Sequence, residues 1–121
     1  MDTRTKILSG DQARTLAGRR LILAAGAFDV LQAAHARFLG EVRCGGAELL
    51  VVVYEDAGLD RPILPEQARA QLVAALAVVD HVLIWPRARL DSLVEILRPE
   101  RVEHAGRGER NIIEEVLARH K

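Results

Sequence analysis

Leu21-Ile22-Leu23-Ala24-Ala25-Gly26-Ala27-Phe28-Asp29-Val30-Leu31-Gln32-Ala33-Ala34-His35 decides the reading of the whole chain. Its first five residues are apolar without alternation, which suits a central parallel strand covered on both faces. A glycine bounds that run, and a helical pattern begins near Ala33. A strand, a glycine turn and a helix N-terminus in succession make a phosphate-accepting geometry, because N–H groups without intrahelical partners point out of the helix start.

Working outward, Ser9 and Gln12 have the spacing of a capping box. They predict a short helix through Leu16 and Ala17 that stops at Gly18. Downstream, a helix over residues 33–43 places Phe38, Leu39 and Val42 on one side and ends at Gly45-Gly46. Residues 48–54 form a second buried strand, rich in β-branched side chains. Residues 55–61 read as a loop, in which the neighbouring Glu55 and Asp56 point to solvation rather than phosphate binding. Pro65 suits the first turn of a third helix, where a missing N–H has no cost. Ala68, Leu72, Ala75, Leu76 and Val79 are its expected apolar stripe.

A third strand covers 81–85, and Leu90, Leu93, Val94 and Leu97 mark a helix that closes before Pro99. Residues 101–105 alternate as a weaker fourth strand, and Ile112, Ile113, Val116 and Leu117 mark a last helix over roughly 110–119. Strands alternating with helices predict an α/β fold with a parallel sheet and right-handed crossovers.

With 121 residues, a single domain spanning 1–121 is the expectation. Seventeen basic and seventeen acidic residues cancel, which argues against a global grip on nucleic acid or an anionic membrane while leaving room for a local phosphate site. The N-terminus is charged and leads to no apolar signal core, and the one cysteine, Cys44, cannot form an internal disulfide. Both point to a cytoplasmic, reducing compartment. His81 and His104 have no third ligand spaced to join them, so no metal site is expected.

Three blocks then carry a family resemblance. Gly26-x-Phe28-Asp29-x-x-Gln32-x-Ala34-His35 overlays the pattern G-x-F-D-x-x-H-x-G-H. Arg61-Pro62-Ile63, Pro65, Arg69, Leu76 and Val79-Asp80 fall without gaps on R-P-I-x-P…R…L…V-D, and Lys6-Ile7-Leu8-Ser9 matches the lead-in to a first strand. On these residues the chain resembles the cytidylyltransferase-like nucleotidyltransferase superfamily. Within it, the adenylyltransferase domain of heptose-phosphate enzymes and the glycerol-phosphate cytidylyltransferases are most similar.

The resemblance implies a Rossmann-like three-layer α/β domain whose parallel sheet has about four strands, in the order third, second, first, fourth. The family's fifth strand and its closing serine/threonine motif have no counterpart. It also implies a reaction that transfers a nucleotide from ATP or CTP, with Mg²⁺, to a sugar or polyol phosphate, releasing pyrophosphate. His35, Gln32 and Arg69 then fall at catalytic positions, and Gly26, Ala27, Phe28, Asp29, Ala34 and His104 at nucleotide- or phosphate-binding ones. From their residue types alone, Asp29 suits holding the loop through backbone N–H groups and Phe28 suits packing beneath it.

This chain departs from the pattern at the reaction centre. Gln32 replaces a histidine, Ala34 replaces a glycine, and the loop after the second strand contains no lysine. An amide donates a hydrogen bond but never a full charge, and a charge-assisted bond is roughly twice as strong as a neutral one. The expectation is therefore a degenerate nucleotidyltransferase-like site, weak or inactive in transfer, that keeps nucleotide or phosphate binding. An active adenylyl- or cytidylyltransferase and a non-catalytic association module are the alternatives. The expected partner is a nucleotide or phosphorylated small molecule, with a homodimer through the exposed fourth strand, and with neither nucleic acid nor membrane.

Overall fold

The computed structural model describes residues 2–105. Its strands are β1 (Ile7–Leu8), β2 (Leu21–Gly26), β3 (Glu48–Tyr54), β4 (His81–Trp85) and β5 (Arg101–His104). Its helices are α1 (Gly10–Arg14), α2 (Ala33–Val42), α3 (Glu66–Ala74) and α4 (Leu90–Leu97). The sheet is parallel throughout, in the order β1-β4-β3-β2-β5.

Alternation along the strands sorts their side chains between two cores, which makes three layers. Ile22 and Ala24 of β2, with Leu49, Val51 and Val53 of β3, pack with Leu39 and Val42 of α2 and Val73 and Ala74 of α3. The intervening Leu21, Leu23 and Ala25, with Leu50 and Val52, pack with Ala13 of α1 and Leu90, Leu93 and Leu97 of α4. Every residue of β2 is buried, so the uninterrupted apolar run has the two-sided cover it predicts. Fully burying a side chain such as Leu23 stabilises by roughly 1.5–3 kcal/mol, and this central strand is where such burial is densest.

The four strands expected from sequence occur in the expected relative order. The additional strand is β1, whose Ile7 and Leu8 pair with Val82 and Leu83 at the sheet edge. Two residues are too short to leave a periodic signal. The helix before β2 starts at the capping box: the Ser9 hydroxyl oxygen accepts from Gln12 N at 3.2 Å, and Gln12 Oε1 accepts from Ser9 N at 2.8 Å. Helix α2 ends at Val42, before the predicted Gly45-Gly46 stop, and those glycines instead turn the chain toward β3 at φ +69° and +79°, conformations that glycine adopts without strain.

Helix α3 departs from the predicted stripe. It buries Arg69, Ala70, Val73 and Ala74, while Leu72 lies exposed. The helix stops at Ala74, so Leu76 and Val79 belong to the following turn and cannot extend its face. A buried arginine, invisible to hydrophobic periodicity, sets the rotation instead. β5 lies at the end of the sheet order and carries an Arg101–Glu103 ion pair at 2.7 Å. The predicted helix at 110–119 lies outside the described residues.

Candidate functional site

The loop from Gly26 to Gln32 joins the carboxyl end of β2 to the start of α2. Gly26 is the last residue of the strand, and a Cβ there would sit 2.9 Å from Ala105 Cβ and 3.2 Å from the Phe28 ring. Its missing side chain therefore admits the close approach of Ala105. The residue that turns the chain is Phe28, at φ 52°, a left-handed conformation costly for an aromatic residue. Phe28 is fully buried, and its ring lies 5.5 Å from the His35 ring at 60°. Packing beneath the loop holds the strained backbone in place.

Two charged side chains then fix the loop against its surroundings. Asp29 accepts from Ile63 N at 2.6 Å and from Leu64 N at 2.9 Å, pinning the segment that precedes α3. Arg69 is 0% exposed. Its guanidinium donates to Ala27 O at 2.8 Å, Leu64 O at 3.0 Å and Asp56 Oδ1 at 2.6 Å. One side chain thus ties the Gly26–Gln32 loop to the end of the 61–65 segment and to the 3₁₀ turn Asp56–Gly58. The Arg69 hydrogen bond holds the Asp56 carboxyl below its ordinary range, and Asp56 N donates to Glu66 Oε1 at 3.1 Å.

The solvation expected for Asp56 is replaced by this ion pair. Sequence singled out Asp29 and Arg69 but did not pair them with Ile63, Leu64, Ala27 and Asp56. Twelve residues, Pro62 and Pro65 among them, separate Asp56 from Arg69, and no local spacing rule joins such a pair.

His35 is the third residue of α2 and is nearly buried. Its Nδ1 accepts from Gln32 N at 2.9 Å. Gln32 itself is exposed at the N-cap position, with Ala34 half-buried behind it. His104 is exposed at the end of β5, in register with Ala25. The structure thus gathers Gly26, Ala27, Phe28, Asp29, His35 and Arg69 around one loop and leaves Gln32 at its mouth. Among the described residues no group of three or more His, Cys, Asp or Glu stands where it could hold a metal ion. The carboxylates nearest the loop, Asp29 and Asp56, already hold backbone N–H groups and Arg69. No helix among the described residues is long and apolar enough to cross a membrane.

Comparison with known proteins bears on the same stretch. The sequence model of the family described as cytidylyltransferase-like matches residues 23–116. The FAD synthase of Methanosphaerula palustris is 40% identical over 84 residues, covering 67% of this chain and 55% of that protein. The bifunctional protein HldE of Geotalea uraniireducens is 33% identical over 106 residues, covering 83% of this chain and 21% of that protein. Among solved structures, a lipopolysaccharide core biosynthesis protein from Thermoplasma volcanium superposes with a TM-score of 0.64 at 30% identity, covering 70% of this chain and 73% of that one. The chain therefore spans about half of that FAD synthase and about a fifth of HldE.

Proposed function

The chain belongs to the cytidylyltransferase-like family, and from that premise we propose that it is a nucleotide-binding, nucleotidyltransferase-like domain whose transfer chemistry is weak or absent. The observation that carries this reading is an intact loop scaffold with its positive charge removed or neutralised. Asp29, Phe28 and Arg69 hold the Gly26–Gln32 loop in shape. Meanwhile Gln32 contributes no charge, and Arg69 is paired with Asp56.

Binding rests on the start of α2, where the helix dipole places about half a positive charge and backbone N–H groups face outward. Mg²⁺ would arrive on the triphosphate as part of the substrate. Transfer of a nucleotidyl group depends on donors preorganised around developing negative charge, and losing one such donor lowers turnover by roughly 100- to 1,000-fold. Gln32 and Ala34 alter charge and space at this point together. A millimolar nucleoside triphosphate that binds the folded chain raises its melting temperature, and this rise is expected with ATP or CTP.

Wild-type protein incubated with ATP or CTP, Mg²⁺ and sugar or polyol phosphates is expected to release little pyrophosphate. Gln32→His combined with Ala34→Gly should raise that release at least about tenfold, and adding His35→Ala should return it to background. Robust wild-type turnover that His35→Ala abolishes would establish instead an active adenylyl- or cytidylyltransferase. Identity of 40% with a synthase favours that second reading. Absence of any nucleotide-induced stabilisation would leave an association module.

A further inference from the structure

Tyr54 and Trp85 close β3 and β4 at the carboxyl edge of the sheet and are registered partners, so they stand one strand spacing apart. Each lies beneath an arginine of the next turn. The Arg87 guanidinium carbon is 5.7 Å from the Tyr54 ring centre, and that of Arg89 is 5.4 Å from the Trp85 ring centre. Both fall within cation–π range.

The turn that carries them is fixed at several points. Trp85 Nε1 donates to Arg89 O at 2.8 Å, Arg89 N donates to Pro86 O at 3.0 Å, and Glu55 N donates to Trp85 O at 3.2 Å. A Cβ built on Gly58 would touch Arg87 Cβ at 3.4 Å, so the 3₁₀ turn Asp56–Gly58 packs against this one.

A guanidinium over an aromatic face keeps its in-plane N–H donors for an anion. Neither Arg87 nor Arg89 has an ion pair with a carboxylate of the described residues, Glu55 and Asp91 included. Both arginines are exposed. On the same rim Arg69 is buried and matched by Asp56, and Gln32 is neutral. Ligands of open α/β sheets gather at the carboxyl ends of the strands. The two stacked arginines are thus preoriented cations on the edge where a ligand arrives.

We propose that Arg87 and Arg89, stacked on Tyr54 and Trp85, form an anion-binding shelf for the phosphate groups of a small phosphorylated ligand. Zero net charge across the chain directs this proposal to a compact phosphate chain rather than a nucleic acid, whose grip needs a wider basic surface. The proposal rests on the nucleotide-binding reading only for what else the ligand carries.

Trp85 is the sole tryptophan and lies under one of the two cations, so it reports occupancy directly. Inorganic tripolyphosphate titrated into the protein should change Trp85 emission saturably. The apparent affinity should fall as NaCl is raised, and R87Q and R89Q should each weaken it roughly tenfold. The titration is repeated with ATP and read by melting temperature. Equal tripolyphosphate affinity in wild type and in folded R87Q/R89Q would overturn the shelf, even where ATP still stabilises both. Arginine-dependent tripolyphosphate binding without any ATP stabilisation would uphold the shelf and remove the nucleotide reading. A saturable emission change in wild type that survives in R87Q/R89Q counts against the shelf.

Discussion

The two ends of the parallel sheet use charge differently. At the amino end, carboxylates stitch one strand start to the next. Glu48, which opens β3, meets Arg19 at 3.2 Å and His81, which opens β4, at 2.7 Å. Arg20 before β2 meets Glu100 before β5 at 2.6 Å, and Asp80 meets Arg43 at 3.1 Å while accepting from Leu49 N. At the carboxyl end, Asp29 holds backbone N–H groups, Arg69 holds two backbone carbonyls as well as Asp56, and Arg87 and Arg89 lie over rings without carboxylate partners among the described residues. One end is closed by mutual neutralisation. The other uses its charges to shape loops, and it is the end where an α/β sheet receives ligands.

If this contrast is right, the largest loss of stability comes from the carboxyl end. Arg69→Leu leaves the Ala27 and Leu64 carbonyls and Asp56 without their shared donor, and should cost about 3–5 kcal/mol in urea unfolding. A cost no larger than that of a surface pair would erase the distinction. Gly26→Ala forces a methyl group against Ala105 and Phe28, with an expected loss of about 1–3 kcal/mol. Asp29→Asn keeps the shape but removes the charge that two N–H groups face. It should cost about 1–2 kcal/mol and speed hydrogen exchange at Ile63 and Leu64 while leaving the β2 amides protected.

Acid separates the ends more finely. Asp56 is held below its ordinary 3.8 chiefly by the Arg69 hydrogen bond, and Glu48 below its ordinary 4.5 chiefly by the His81 hydrogen bond. A depressed carboxyl adds stability above its unfolded value and loses it as pH falls through the folded one. Both contributions should therefore fade on acidification, beginning near pH 4.5 for Glu48 and near 3.8 for Asp56. In urea midpoints measured down a pH series, Glu48→Gln should flatten the upper part of that decline and Asp56→Asn the lower part. The smallest effect is expected from Arg43→Ala, below about 1 kcal/mol, because its pair with Asp80 is partly solvated.

Legibility in the sequence followed the range of each interaction. The capping box at Ser9 and Gln12, the buried run of β2 and the four-residue stripe of α4 were readable because their signals repeat within a turn or a strand. The predicted stripe of α3 failed because a single buried guanidinium outweighed hydrophobic spacing. Within the site, Asp29 was readable as a loop-holding carboxylate, but the N–H groups it accepts from are those of Ile63 and Leu64 rather than of its own loop. Gly26 was readable as special, yet the left-handed turn falls on Phe28, and the glycine is needed where Ala105 approaches.

By itself the sequence determined the α/β class through hydrophobic period and the family through motif spacing, both local properties carried along the chain, and the family resemblance implied the order of the four longer strands. Only the tertiary structure decided where the charges stand. It turned Arg69 inward to Asp56, Ala27 and Leu64, and set Arg87 and Arg89 on the rings that close β3 and β4. Such partners lie on different loops, and only the packing of the sheet brings their ends to one rim.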